Sequence, residues 1–201
     1  MSHLLPLTAS GWVVQVLLSS IAALVLISLA EYVFHRYLMH QGLPERVYRA
    51  VPPLKRLLYA HRDLHHKTYY QQFDYEPDPV GRETNLRIAL WHSALGAALF
   101  IPYFVLTTWY LSLVPTLVFC AVAIAENLIW NTVHREMHQP QRPFWARSWA
   151  YRYLAQHHYL HHKNTRANFN IVLPGADVVF GTRSYAGEED RAELERLGFT
   201  T

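Results

Sequence analysis

The sequence predicts an all-α integral membrane bundle of about three transmembrane spans, capped on the cytoplasmic side by a histidine-rich region. Three observations predict it. Of the 201 residues, 51% come from the AVILMFWYC set and only 16% carry charge, against roughly 25% in an ordinary soluble domain. All 18 Lys and Arg lie outside residues 1–35 and 88–134, which leaves two long stretches without positive charge. Thirteen histidines are present, and eleven of them fall into four short clusters that this topology puts on one side of the membrane.

Residues 12–30, WVVQVLLSSIAALVLISLA, carry no charge over 19 positions, close to the roughly 20 that a helix needs to cross the hydrocarbon. They predict a first span over about 11–34. No Lys or Arg precedes it, and the helical pattern continues into EYVFHRYLMH, which argues against a cleaved signal peptide. Ile88–Ala125 is a second charge-free run of 38 residues. As one helix it would reach about 57 Å, almost twice the ~30 Å core. Two spans, about 87–107 and 111–132, joined by a tight turn fit better. Trp109 and Tyr110 then mark the far interface, and Pro102 and Pro115 are tolerable kinks.

Positive charge assigns 35–86 and 133–201 to the cytoplasm. Setting aside Glu31 and Glu126 leaves 13 acidic residues against 18 basic ones outside the membrane stretches, a balance that favours anionic headgroups. The tail, GEEDRAELERLG, reads as a short solvated helix. Residues 1–201 read as one domain, with no room for a fused electron-transfer module. The single cysteine, Cys120, excludes a disulfide framework and cysteine-based zinc or iron–sulfur sites. The apolar, weakly charged composition excludes disorder and a nucleic-acid-binding arm.

The histidine clusters are His35 and His40; His61, His65 and His66; His134 and His138; and His157, His158, His161 and His162. Residues four apart on a helix share a face and can offer both imidazoles to one ion. The pairs His61/His65, His134/His138, His157/His161 and His158/His162 all qualify. The last two pairs sit about 100° apart, so one turn can face two ions that share a site. His35 and His40, five apart, are about 140° from each other on a regular helix; they contact different ions or need a loosened helix end. Eleven imidazoles packed together cannot all be protonated, and leaving them neutral and unliganded wastes their hydrogen-bonding capacity. A metal resolves both problems. His3 and His92 stand apart and read as polar caps at the interface.

EYVFHRYLMH, HRDLHH, HREMH and HHYLHH, in that order and with ANFNIVLPGADVVFGT after them, resemble the boxes of the fatty acid hydroxylase superfamily. These are integral-membrane non-haem di-iron oxygenases that include fatty acid hydroxylases, sterol desaturases and methyl oxidases, and carotenoid hydroxylases. The resemblance runs from about Glu31 to Thr182. It implies two Fe ions, with zinc able to take their place on isolation, and O₂ as co-substrate. The ligands it implies are His35, His40, His61, His65, His66, His134, His138, His158, His161 and His162, with His157 as a further candidate. HRDLHH departs from fatty acid 2-hydroxylases in having three residues, not two, between its first histidine and the pair.

The activity implied is O₂-dependent hydroxylation of an unactivated C–H in a lipid or fatty-acyl substrate. A desaturase or sterol-type methyl oxidase at the same site is the alternative, and a non-catalytic membrane metal-binding protein the rival from another class. A transporter would carry its ligands at mid-bilayer, whereas these gather at one interface. With neither a fused haem domain nor a Gly-rich dinucleotide fingerprint, electrons must come from a separate donor protein of ferredoxin, rubredoxin or haem type. The expected partners are that donor, the lipid and the membrane, with no nucleic acid. The expected location is a bacterial inner membrane or the endoplasmic reticulum, with the active site on the cytoplasmic side.

Imidazole-only ligation leaves the ions' charge near hydrocarbon, so carboxylates are expected around the ligands. Glu31, four residues before His35, shares its face and is expected to accept its other ring N–H. Asp63 and Glu136 lie about 200° round from His61 and His134 and either serve another cluster's ligands or are surface acids. Glu126, with Asn127 and Asn131, falls in or just beyond the third span, where a charge is costly, so a paired or site-facing role is expected. Asp177 and Asn168 are implied by the resemblance alone.

Overall fold

A chain in hydrocarbon must satisfy its backbone internally, and the charge-free runs are helical. The computed structural model describes residues 9–71, 73 and 87–200; His3 lies outside the described residues. Among the described residues no strand occurs. Two long helices, α1 (Ala9–Val33) and α6 (Val114–His138), pack along one another. Ala23, Ile27 and Phe119 are buried where they meet. Their outer faces, with Leu17, Leu18, Ile21 and Val25 on α1 and Leu117, Ile124 and Leu128 on α6, are exposed, as suits helices solvated by lipid. α1 and its continuation, and α6, are each long and apolar enough to cross a membrane.

Between them the expected span at 87–107 is broken. α4 (Leu90–Ala98) and α5 (Ile101–Tyr110) meet at 66°. Pro102 explains the break: it has no N–H to donate, and its ring clashes with the carbonyl four residues back, at Ala98. Among the described residues two helices are therefore long and apolar enough to span, or three if the bent pair counts as one. The third span expected at 111–132 begins at Val114 and continues to His138, so its last two turns carry His134 and His138.

The cap is built from the segments that follow the C-terminal ends of the long helices. α1 passes directly into a π-helical segment, Phe34–Gln41. α2 (Glu45–Ala50) and α3 (Pro52–Leu58) lead into a second π-helical segment, Tyr59–Tyr69. Tyr48, Leu54 and Leu58 form a small core that, with Leu38 and Leu43, seats this pair. After α6, Ser148 accepts a hydrogen bond from the Tyr151 N–H (3.3 Å) and opens α7 (Trp149–Lys163), as serine does at helix N-termini. α8 (Gly175–Val179) and α9 (Arg191–Leu197) complete the chain. The tail is not wholly solvated: Leu194 and Phe199 are buried against Phe73, Tyr151 and Ile171.

Candidate metal centre

The two π-helical segments decide which histidines meet. Their i→i+5 hydrogen bonds widen the turn, and each closes with one such bond: Gly42 N–H to the Tyr37 carbonyl, and Tyr70 N–H to the His65 carbonyl, both 2.9 Å. Residues five apart then share a face. His35 and His40 lie with ring centroids 4.9 Å apart, and His61 and His66 4.8 Å apart. The loosened helix end is the arrangement found. It also absorbs the extra residue in HRDLHH.

All ten histidines implied as ligands converge. One group is His35, His40, His61, His66 and His161; a second is His65, His134, His138 and His158; and His162 joins His65 and His66 between them. Within each group the ligating atoms lie within 4.8 Å of one another. α7 supplies both groups, through His158 and His161. Three of the expected pairings do not share a group, His158 and His162 among them. His61 and His65 fall in different groups, because the π turn pairs His61 with His66 instead. His157, the eleventh candidate, turns away from the cage and bonds Asp177 (Nε2···Oδ2, 3.1 Å). His92 stands outside the cage and stacks on Trp91.

Backbone carbonyls fix the orientation of four rings. Nδ1 of His35 reaches the Phe169 carbonyl, that of His161 the Ala167 carbonyl at 2.7 Å, that of His138 the Phe73 carbonyl at 2.5 Å, and that of His162 the Tyr70 carbonyl at 3.1 Å. A carbonyl only accepts, so each of these Nδ1 atoms carries the proton, and the Nε2 of the same neutral ring presents a lone pair. Those lone pairs point at other Nε2 atoms: His35 to His61 at 2.8 Å, His161 to His40 at 2.9 Å, His138 to His158 at 3.0 Å, and His162 to His65 at 3.2 Å. Two nitrogens bound at right angles to one ion, about 2.0–2.1 Å from it, would be roughly 3 Å apart. The donor set therefore fits divalent metal ions.

Protonation does not compete with this arrangement. Burial first, and the neighbouring imidazoles next, hold His61, His65, His66, His158, His161 and His162 well below the ordinary histidine range. Among the described residues, Nδ1 of His65, His66 and His158 is buried without a hydrogen bond.

The carboxylates act through the loop behind the cage. Glu31 does not accept from His35, whose Nδ1 is taken by Phe169. Its carboxylate instead accepts from Asn170 Nδ2 (3.0 Å) and from the N–H groups of Ile171, Val172 and Leu173 (2.7, 3.1 and 3.3 Å). Four consecutive donors on the loop outcompete a single ring. Asp177, fully buried, accepts from the N–H groups of Phe169 (2.9 Å) and Asn170 (2.7 Å), from Thr182 Oγ1 (2.7 Å) and from His157. Burial pushes its carboxyl up, and these bonds, His157's foremost, more than offset that and hold it below the usual range. Asn168, in the left-handed region at φ 54°, donates to the His157 carbonyl at 3.1 Å and accepts from Ser184 N–H at 2.7 Å. Asp63 pairs with Arg62 and Lys67 at the surface, and Glu136 accepts from the Gln141 and Arg142 N–H groups beyond α6. Neither touches the cage.

The anchoring carbonyls of Tyr70, Phe73, Ala167 and Phe169 were not foreseeable from the histidine pattern. Only Asn168, a residue tolerant of positive φ, hinted at the turn that aims two of them.

Beside the cage a cavity of about 80 Å³ lies between α1, α4 and α6. Ile27, Phe34, Ala97, Phe119 and Trp130 give it apolar walls, and His35 and Met39 stand at its cage end; Glu31 and Glu126 also line it. Asn127 and Asn131 bond the Ile88 carbonyl and so tie α6 to the start of α4.

The Fatty acid hydroxylase family profile matches residues 20–182, which take in all ten histidines and the 167–182 loop. Neither the curated proteins nor the solved structures contain a match to the chain.

Proposed function

The chain belongs to the fatty acid hydroxylase family, and from that premise we propose that it is a membrane oxygenase that hydroxylates an unactivated C–H of a lipid or fatty-acyl chain at a pair of iron ions. The observation that carries this reading is the cage of Nε2 lone pairs facing one another at about 3 Å beside an apolar cavity that His35 also lines. His35, His40, His61, His66 and His161 would hold one ion, and His65, His134, His138, His158 and His162 the other. Five nitrogens per ion exceed the four of structural zinc sites, and iron is the ion that the family likeness implies. When bound, the iron pair supplies the reductive activation of O₂.

The chain's own residues supply the rest. The cavity's apolar walls hold an alkyl chain and keep water from the reaction, and their contact with His35 sets which carbon lies nearest the metal ligands. Phe169, Ala167, Phe73 and Tyr70 keep four rings in the tautomer that leaves Nε2 free to ligate. Glu31 and Asp177, one layer behind the cage, place negative charge near the cations and stiffen the loop that aims His35 and His161. Electrons come from a separate donor protein at the cytoplasmic face, where this reading puts the cage.

Lipid mass spectrometry of cells with and without the gene tests the reading. A lipid gaining one oxygen is the expected result. Loss of two hydrogens would make the enzyme a desaturase, and an unchanged lipidome with both ions bound would leave a metal-binding protein without catalysis.

A further inference from the structure

Glu126 is the cavity acid that the fold leaves unused. It stands on α6 about 12 Å along the axis before His134 and lines the cavity that His35 also lines. Two of the polar groups that line the cavity with it are engaged. Asn127 donates to the Ile88 carbonyl (3.2 Å) and to Ser93 Oγ (3.0 Å), and the Glu31 carboxylate is taken by Asn170 and the loop N–H groups. Among the described residues no hydrogen bond or ion pair reaches the Glu126 carboxyl. An ionisable side chain facing an apolar cavity inside a membrane is expensive and marks function by default. The wall nearby is kept open by small residues. A Cβ on Gly96 would sit 3.2 Å from Phe34 Cε2, and Ala123 lies one turn before Glu126 on α6.

We propose that Glu126 binds a polar group of the substrate inside the membrane, so that the lipid this chain accepts carries a hydrogen-bond donor, a hydroxyl or an amide N–H, on an otherwise apolar body. This rests on the oxygenase reading and adds to it the chemistry of one substrate group. A donor seated on the carboxyl replaces the hydrogen bond it gave to water. A plain hydrocarbon leaves the carboxyl unsatisfied, and sites built to hydrogen-bond a substrate group discriminate strongly against analogues lacking it. Two fixed points, Glu126 and the His35 end, then set which carbon is presented for oxidation.

The test is a binding measurement on the purified full chain in nanodiscs, in which a fluorescent polyene fatty acid is displaced by hexadecan-1-ol or by hexadecane. Wild type is expected to prefer the alcohol about tenfold or more. Glu126→Met, of similar length but apolar, should bring the two affinities together, whereas Glu126→Gln, which keeps a carbonyl acceptor, should retain most of the preference. A wild-type protein without preference, or a Met variant that keeps the wild-type ratio, overturns the proposal; should the Met variant fail to fold, the wild-type ratio alone decides. Binding needs no turnover, so the two readings fail separately. Preference for the alcohol with no lipid oxidised in cells sinks the oxygenase and leaves the anchor, while lipid oxidation without that preference does the reverse.

Discussion

The two halves of the cage are made by different backbones. The half containing His134, His138 and His158 relies on α-helical register: His134 and His138 are four apart on α6, with ring centroids 4.9 Å apart, and His162 and His138 are aimed by the carbonyls of Tyr70 and Phe73. The half containing His35, His40, His61 and His66 relies on two π-helical segments that bring residues five apart together, and the 167–169 loop aims His35 and His161. One half follows the default helix except for His65, which the second π segment supplies; the other depends on that local departure for four of its five histidines. α7 ties them together by sending His158 to one and His161 to the other.

Single-ligand changes break this division most severely. His158→Ala and His161→Ala should each lower turnover roughly 100-fold or more, beyond the 10–100-fold typical of losing a supporting group. If the halves are separate sites, each variant should also bind one ion where wild type binds two, counted by mass spectrometry of the purified protein. Two ions retained in His161→Ala would mean that the half containing His161 does not hold an ion of its own.

That contrast also explains what could be read from the sequence. The all-helical membrane class was legible because charge-free runs and Lys/Arg placement are one-dimensional facts. The four histidine clusters were legible as clusters for the same reason. Pairing within them was legible for His134 and His138, whose spacing matches the α-helix. It was misread for His61 with His65 and for His157 with His161, since a spacing rule assumes a register that the π segments and the Asp177 contact override. Glu31 was expected to accept from His35 and bonds other donors instead. Four loop N–H donors that come from 140 residues away in sequence, invisible to local periodicity, claim its carboxylate.

Asp177→Asn sharpens the comparison with a smaller effect. Each of its oxygens accepts two bonds, Oδ1 from Phe169 N–H and Thr182, Oδ2 from Asn170 N–H and His157. An amide nitrogen at either position would face two donors. The loop carrying the Phe169 and Ala167 carbonyls should loosen, and the ion held by His35 and His161 should be released to a chelator about 10–100-fold more readily. The other ion, whose anchors are Tyr70 and Phe73, should leave at the wild-type rate. Equal loss of both ions would show that the loop supports the whole cage.

The mildest test concerns how the first π segment ends. Gly42 lies two residues beyond His40, has φ 82° and ψ 169°, and gives its N–H to the Tyr37 carbonyl. That backbone region is essentially reserved for glycine, and a Cβ there would meet Tyr48 Oη at 3.0 Å and Leu58 Cδ2 at 3.1 Å. Tyr48 cannot easily move, because its hydroxyl accepts the Leu43 N–H at 2.6 Å. Gly42→Ala should therefore cost about 1–3 kcal/mol in thermal or denaturant unfolding and weaken the half that contains His40. Gly198, in the ordinary left-handed region at φ 77° and ψ 26° with nothing within 4 Å of a built Cβ, is the control that lacks both the glycine-only backbone and the crowding. Gly198→Ala should cost only about 1 kcal/mol and leave both ions in place. If the two substitutions cost the same and neither moves metal, the π segment's end is not what positions His40.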